Sequence, residues 1–354
     1  MTSRAVVKVG TSSVTDGDGW VDRSVLAEIA SDVHELAISG VEVAVVTSGA
    51  VTAGWADVGG GRGRPRDSVT LQAVSAVGQP LLMQSWREAF AAHDRGVGQV
   101  LLSPLDFSHR GQYLRARATL EALWGLDVVP VVNENDAVSD DEIRFGDNDR
   151  LAALVANLVG AEFLVLLTDT PGLLTADPRL DPSATLIEEV SAIDASLMDI
   201  AGASRSGVGS GGMASKLAAA RMATWSGVTT VIAAARNDHP LRAALRGGGT
   251  GTVFRPRPER LAARKAWIAF AVPSRGVLRI NQGALQALLH HGRSLLRVGV
   301  VGIEGSFVEG DAVEIHGPDG EVVAKGLVRV AAIDLDHGDD VVVHRDDLVV
   351  LRPR

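Results

Sequence analysis

Lysine is scarce in this chain. Of 34 basic residues only Lys8, Lys216, Lys265 and Lys325 are lysines, and all the others are arginine. Arginine keeps the positive charge but not the compact ammonium, so a lysine that survives in such a chain is either an accident or a place where a point charge is required. Two of the four stand in segments fit for chemistry. Lys8 opens Lys8-Val9-Gly10-Thr11-Ser12, and Lys216 closes the glycine-rich run from Ser206 to Ser215, just ahead of a helical pattern. Glycines there let backbone N–H groups approach an anion, the helix start adds favourable partial charge, and the lysine would reach phosphates. The run is not the Walker pattern, which places Lys directly after Gly and before Ser or Thr. A flexible linker shares the composition but rarely ends in a lone lysine followed by an amphipathic helix.

Other polar segments follow apolar runs: Thr47-Ser48-Gly49-Ala50, Asn133-Glu134-Asn135-Asp136 and Thr168-Asp169. Gly146-Asp147-Asn148-Asp149 precedes a helical pattern starting near Arg150, where Asn and Asp are also ordinary N-caps. Any one of these segments reads as a plain turn. Small, polar and glycine residues at four strand ends describe a polar cleft, because ligands of an open parallel sheet sit at the carboxyl ends of its strands. The absence of cysteine excludes disulfides and thiolate nucleophiles, and nine scattered histidines do not make a His-rich metal site. Any metal is expected to be a hard ion held by oxygens.

The elements that must position these groups are legible as alternating patterns. Apolar runs at Ala5–Val9, Val41–Val46, Gln99–Leu102, Val128–Val132, Phe163–Leu167 and Thr229–Ala233 lack polar alternation and read as buried strands. Helical spacing runs from Ser24 to Ser39, with Asp22 as N-cap and Gly40 as stop, and recurs at Leu81–Ala92, Tyr113–Leu123, Asn148–Leu158 and Ala214–Ser226. The alternation predicts an α/β fold with a mostly parallel sheet sandwiched between helices. Near residue 255 the pattern changes. The expected division is a first domain over 1–258, an Arg/Pro-rich linker over 259–275 and a small β-rich domain, barrel or sandwich, over 276–354. Gly59–Asp67 reads as a mobile loop that no strand leads into, so it is not a dinucleotide fingerprint. Lys265 and Lys325, in or beyond the linker, are expected to tolerate arginine.

Composition narrows the function further. A hydrophobic fraction of 46% and a charged fraction of 22% fit an ordinary globular protein long enough, at 354 residues, for two domains. No apolar run spans a bilayer and the N-terminus lacks a signal-peptide stretch, so a cytoplasmic protein with no membrane partner is expected. The net charge of -9, and the eight basic against twelve acidic residues from Gly276 onward, argue against nucleic acid as a partner.

Taken together, VVKVGTSSVT, VTSGAV, NENDAV, GDND, LLTDTPGLLTADPR and GSGGMASKLAAA resemble the glutamate 5-kinase family of the amino acid kinase superfamily, in the expected order along nearly the whole chain. NENDAV with GDND is the most specific part; the LLTD and glycine-rich segments are shared with aspartate, acetylglutamate and uridylate kinases. INQGALQALLHHGRSLL, GSFVEGDAVEI and VHRDDLVVL resemble a PUA domain, shortened after Val330.

The resemblance implies ATP-dependent phosphorylation of the glutamate γ-carboxylate, the first step of proline biosynthesis. It implies that Lys8 and Lys216 stabilise the transferring phosphoryl group while Asp149 holds them. Ser48, Asp136 and Asn148 would bind glutamate, with Asn133 and Asp147 beside them. Lys8, Thr168, Asp169, Ser210, Gly211, Gly212, Met213, Ala214, Ser215 and Lys216 would contact ATP. Asp136 would accept from the substrate ammonium, and Asn148 and Ser48 would orient its carboxylates. Mg²⁺ is expected with ATP, proline as feedback inhibitor, and a homo-oligomer, dimer or tetramer. Ser210 and Ser215 stand where relatives usually have Thr, and Leu71 where they often have Lys. The competing readings are an aspartate or acetylglutamate kinase and a PUA-type RNA-binding protein.

Overall fold

β-Branched and aliphatic runs become strands where both faces are covered, and this is how the first part of the chain is built. The computed structural model describes residues 3–61, 63–138, 148–194, 197–198, 212–246, 250–335 and 341–352. It divides into two compact units, Met1–Asp106 with Arg110–Arg260, and Phe107–His109 with Leu261–Arg354. Elements run, in chain order, β1 (Ser3–Val9), α1 (Thr11–Val14), α2 (Arg23–Ile38), β2 (Val41–Thr47), α3 (Ala50–Val58), α4 (Ser68–Ala91), β3 (Gly96–Leu102), α5 (Pro104–Ser108), α6 (Arg110–Gly125) and β4 (Val128–Glu134). They continue with α7 (Asn148–Val159), β5 (Phe163–Thr168), β6 (Glu189–Val190), α8 (Met213–Trp225), β7 (Thr229–Ala234), α9 (Pro240–Arg246) and β8 (Thr252–Phe254).

The eight strands form one sheet in the order β3-β4-β2-β1-β5-β7-β8-β6, parallel except for the β7–β8 pair. Register aligns the strand ends. Val9 lies opposite both Thr47 and Leu167, and Leu101 lies opposite Asn133, so the polar segments after β1, β2, β4 and β5 share one edge. One face of the sheet is packed by Leu26, Ile29 and Val33 of α2, by Leu82, Trp86 and Phe90 of α4 and by Leu241 of α9, all against Val7, Val45, Val131, Val165 and Val231. α7 and α8 pack on each other and on the sheet. Asp22 caps α2 as its sequence predicts, accepting from the Ser24 N–H at 3.2 Å.

One helix differs from its sequence pattern. The spacing predicts a helix from Leu81 to Ala92, yet α4 begins at Ser68 and passes through Pro80. Pro80 has no N–H to give the Ala76 carbonyl, but packing against α3 carries the helix across it. The two glycines are required by that packing: a Cβ on Gly78 would lie 1.8 Å from the Ala50 carbonyl oxygen, and one on Gly54 2.1 Å from that of Val74. Asp67, the last residue of the segment read as a loop, caps α4 through the Thr70 N–H at 2.9 Å.

The second unit contains α10 (Ala263–Ala266), a π-helical turn over Trp267–Ala271, β9 (Ser274–Ile280), α11 (Gln282–His291), β10 (Leu295–Leu296), β11 (Val300–Gly305), β12 (Ala312–His316), β13 (Val322–Val328) and β14 (Val341–Val350). Its strands form one six-stranded sheet in the order β10-β14-β13-β12-β9-β11, antiparallel apart from β12–β9. Leu278, Ile280, Phe307, Val313, Ile315 and Val342 are among its buried core. The linker read over 259–275 is corrected in part: Trp267, Ile268, Ala269 and Ala271 are buried, since their apolar side chains belong to a helical segment and not to a solvated connection. Lys325 is corrected too. It is buried, and its ammonium donates to the carbonyls of Ala269 and Val272 at the end of the π-helical turn, so it is not an indifferent surface charge. Among the described residues no helix is long and apolar enough to cross a membrane.

Candidate active site

The first group of site residues is ionic. Lys8, near the end of β1, and Lys216, in the second turn of α8, approach one carboxylate from different parts of the chain. The Lys8 ammonium lies 2.6 Å from Oδ1 of Asp149 and that of Lys216 3.1 Å from Oδ2. Asp149 is fully buried in the first turn of α7, where a carboxylate also faces the positive end of the helix. Burial pushes its carboxyl up, but the charges of Lys8 and Lys216 and their hydrogen bonds outweigh that and hold its pKa below the ordinary carboxylate value. Ser215 donates to Asp149 Oδ2 at 3.1 Å and to the Gly212 carbonyl at 2.7 Å, a geometry that leaves the hydroxyl shared between them. Two ammonium groups around one carboxylate leave a net positive site, and each ammonium has three donors. Such a site suits a polyanion.

The second group is a chain of amides. Asn148, beside Asp149, donates through Nδ2 to the Thr47 carbonyl at 2.7 Å and to Asn133 Oδ1 at 2.8 Å, with Ser48 Oγ at 3.1 Å alongside. Asn133 Oδ1 also accepts from the Glu134 N–H at 2.9 Å, and Asn133 Nδ2 donates to Gln79 Oε1 at 2.8 Å. Asp136, on the turn after β4, accepts from the Ser75 hydroxyl at 2.9 Å. Ser48 is placed by Gly49, whose φ of 107° and a would-be Cβ 2.8 Å from Val14 Cγ2 leave room for glycine alone. Trp86, buried in the core, fixes the end of β2 by donating to Thr47 Oγ1 at 3.1 Å.

Lys8, Lys216 and Asp149 are thus brought together, as are Ser48, Asn133 and Asn148. Thr168 and Asp169 lie at the end of β5 and are hydrogen-bonded to each other at 3.0 Å. Gly212 is the N-cap of α8, and Met213, Ala214 and Ser215 form its first turn. Asp147, Ser210 and Gly211 lie outside the described residues. The Nδ2 hydrogens of Asn148 are directed to the Thr47 carbonyl and Asn133 Oδ1 within the chain. Ser75 and Gln79 are absent from the sequence reading. They stand four apart on one face of α4, a helical signal that Pro80 conceals.

The amino acid kinase family model matches residues 3–234, and the PUA domain model residues 276–345. Curated relatives include a glutamate 5-kinase of Geobacter sp. (strain M21), 43% identical over 365 residues, covering 98% of this chain and 97% of the relative. The glutamate 5-kinase of Frankia casuarinae is 45% identical over 99% of this chain and 97% of its own. That of Mycobacterium avium (strain 104) is 45% identical over 93% of this chain and 89% of its own.

Proposed function

The chain belongs to the amino acid kinase family, and from that premise we propose that it transfers the γ-phosphoryl group of ATP to the side-chain carboxylate of L-glutamate. The products are γ-glutamyl phosphate and ADP, and the step opens proline biosynthesis. The observation that carries this reading is the pair of buried ammonium groups held 2.6 and 3.1 Å from opposite oxygens of Asp149, next to an amide chain suited to a small polar substrate.

Bringing a carboxylate oxygen up to the γ-phosphorus joins two anions, so neutralisation and in-line positioning dominate the barrier. Lys8 and Lys216 offer positive charge where the phosphoryl group crosses, and Asp149 fixes their positions. The new bond joins the glutamate Oε to the phosphorus while the bond to the β,γ-bridging oxygen breaks and ADP leaves. No general base is needed, because the glutamate side chain is ionised near neutral pH. Asp136, held by Ser75, accepts from the substrate ammonium, and Ser48, Asn133, Asn148 and Asp147 complete that end. Thr168, Asp169 and Ser210 to Lys216 take the nucleotide. Mg²⁺ accompanies the nucleotide in this reading, held mainly by phosphate oxygens and water. The described residues contain no group of three or more His, Cys, Asp or Glu that could hold an ion.

Proline, a smaller α-amino acid, would occupy the Asp136 and Asn148 end in competition with glutamate. The working enzyme is read as a cytoplasmic homo-oligomer. The experiment that tests the function supplies ATP with glutamate, aspartate or acetylglutamate in parallel and traps acyl phosphate with hydroxylamine. Hydroxamate formed chiefly from glutamate is the expected result; turnover confined to another acceptor overturns the assignment.

A further inference from the structure

The polarity of the amide chain is fixed at both ends by groups with no choice. The Thr47 carbonyl only accepts, so Asn148 presents Nδ2 to it; the Glu134 backbone N–H only donates, so Asn133 presents Oδ1 to it. Asn133 Nδ2 must then point the other way, where Gln79 Oε1 receives it at 2.8 Å. Gln79 is buried, and among the described residues its own Nε2 has no hydrogen-bond partner. It is the oxygen of Gln79 that joins the amide chain.

We infer that Gln79 is a positioning residue: by accepting from Asn133 Nδ2 it holds the Asn133 side chain, and through it Asn148, in the place from which Asn148 Oδ1 accepts from the substrate ammonium. Asn148 Nδ2 is consumed by Thr47 and Asn133, which leaves the oxygen as the half that faces a ligand. Ser48 Oγ sits 3.1 Å from the same Nδ2 and keeps its own proton for a substrate carboxylate. Without an acceptor at position 79, Asn133 Nδ2 is left buried without that partner, and the Asn133 side chain loses the contact that holds it in place against Asn148. α4 can hold this acceptor in place because Gly78, the residue before it, lets the helix lie directly on α3. The inference rests on the glutamate kinase reading and adds a determinant of recognition for the ammonium end.

The test compares glutamate with glutarate, which has both carboxylates and no ammonium. In the full-length protein, Gln79→Met removes the acceptor at nearly constant volume, and Gln79→Glu keeps an oxygen facing Asn133 whether it is neutral or ionised. The readouts are the KM for glutamate, the KM for ATP and the Ki of glutarate against glutamate. Gln79→Met is expected to raise the glutamate KM by about tenfold while the glutarate Ki and the ATP KM stay near wild type, as when a site loses a directed hydrogen bond. Gln79→Glu is expected to restore the glutamate KM. A merely structural role would weaken both ligands together, or lower stability without changing their ratio, and either result overturns the inference. Should Gln79→Met not fold, Gln79→Leu makes the same deletion. Should neither fold, Gln79→Glu alone decides, and a glutamate KM raised relative to glutarate in that variant overturns the relay. Failure of the wild-type protein to phosphorylate glutamate would remove the kinase reading itself, whereas an unchanged ratio in the variants removes only the relay.

Discussion

In the first unit two buried ammonium groups flank one buried carboxylate; in the second, a single ammonium is buried among backbone carbonyls. Lys8 and Lys216 are 3% and 5% exposed, Lys325 is 8% exposed, and all three give up most of their hydration. The compensation differs. Asp149 supplies a full opposite charge to two lysines and so leaves an excess positive charge with donors for an anion. Lys325 instead satisfies the Ala269 and Val272 carbonyls at the end of a π-helical turn, where the last carbonyls of a helix lack intrahelical partners. The same scarce residue type therefore answers two needs. One site is organised to receive charge from outside, and the other closes a hydrogen-bonding deficit in the backbone.

Removing the carboxylate should break the first site most severely. Asp149→Asn leaves two ammonium groups buried without their counter-charge, and loss of one partner from such an arrangement costs roughly 3–5 kcal/mol. Chemical denaturation should show a fall of that size, together with loss of turnover. The pH dependence has a definite sign. Because the native Asp149 pKa lies below its ordinary value, its stabilisation is fully present above the ordinary carboxylate pKa and is lost as pH falls through the native one. The stability gap between wild type and Asp149→Asn should therefore close in acid. A gap that persists unchanged there would mean that packing, not charge, holds the site.

Exchanging lysine for arginine tests whether the first site handles charge as a point. Lys8→Arg and Lys216→Arg keep the charge but replace a compact group by a planar fork. Turnover is expected to fall ~100-fold or more, about 3 kcal/mol of transition-state stabilisation. The KM for glutamate should move far less, since these contacts strengthen mainly in the transition state. Near-normal turnover in both variants would reduce Lys8 and Lys216 to the structural kind that Lys325 exemplifies.

In the second unit the expectation reverses. Lys325→Met leaves the Ala269 and Val272 carbonyls short of their donor, at a cost of roughly 1–3 kcal/mol of stability. Hydroxamate formation per folded molecule should remain that of wild type. Lost turnover with unchanged stability would erase the distinction between the two regions.

Much of this is legible in the sequence. The parallel strands are continuous apolar runs, and polar segments at their ends mark the edge where Lys8, Ser48, Asn133 and Thr168 gather. Local pattern is enough for that because strand ends and glycine turns are local features. Gln79 and Ser75 were hidden because Pro80 argues for a helix start where tertiary packing carries a helix through. The hydrogen-bond partners of Asn148 are out of reach for a different reason: the Thr47 carbonyl and the Asn133 side chain are distant from it in sequence and meet it only through the fold. Lys325 was misjudged because its partners lie in a segment whose Arg and Pro content looks like a linker, while its Trp and Ile are what fold it.

Lys265 gives the smallest expected effect and fixes how far scarcity alone can be trusted. Lys265 is half-buried, and its ammonium donates to the Arg345 carbonyl at 3.2 Å through an exposed hydrogen bond. A guanidinium there can reach the same carbonyl or exchange it for water, since the hydrogen bond is exposed. Lys265→Arg should therefore change stability by less than about 0.5 kcal/mol, as surface substitutions usually do, and should leave turnover unchanged. Thermal unfolding of Lys265→Arg beside Lys325→Arg makes the comparison inside one unit: the buried lysine should resist the exchange while the half-buried one accepts it. If both variants unfold at the wild-type temperature, burial of an ammonium is not what selects lysine in this chain. The case for Lys8 and Lys216 would then rest on Asp149 and on turnover alone.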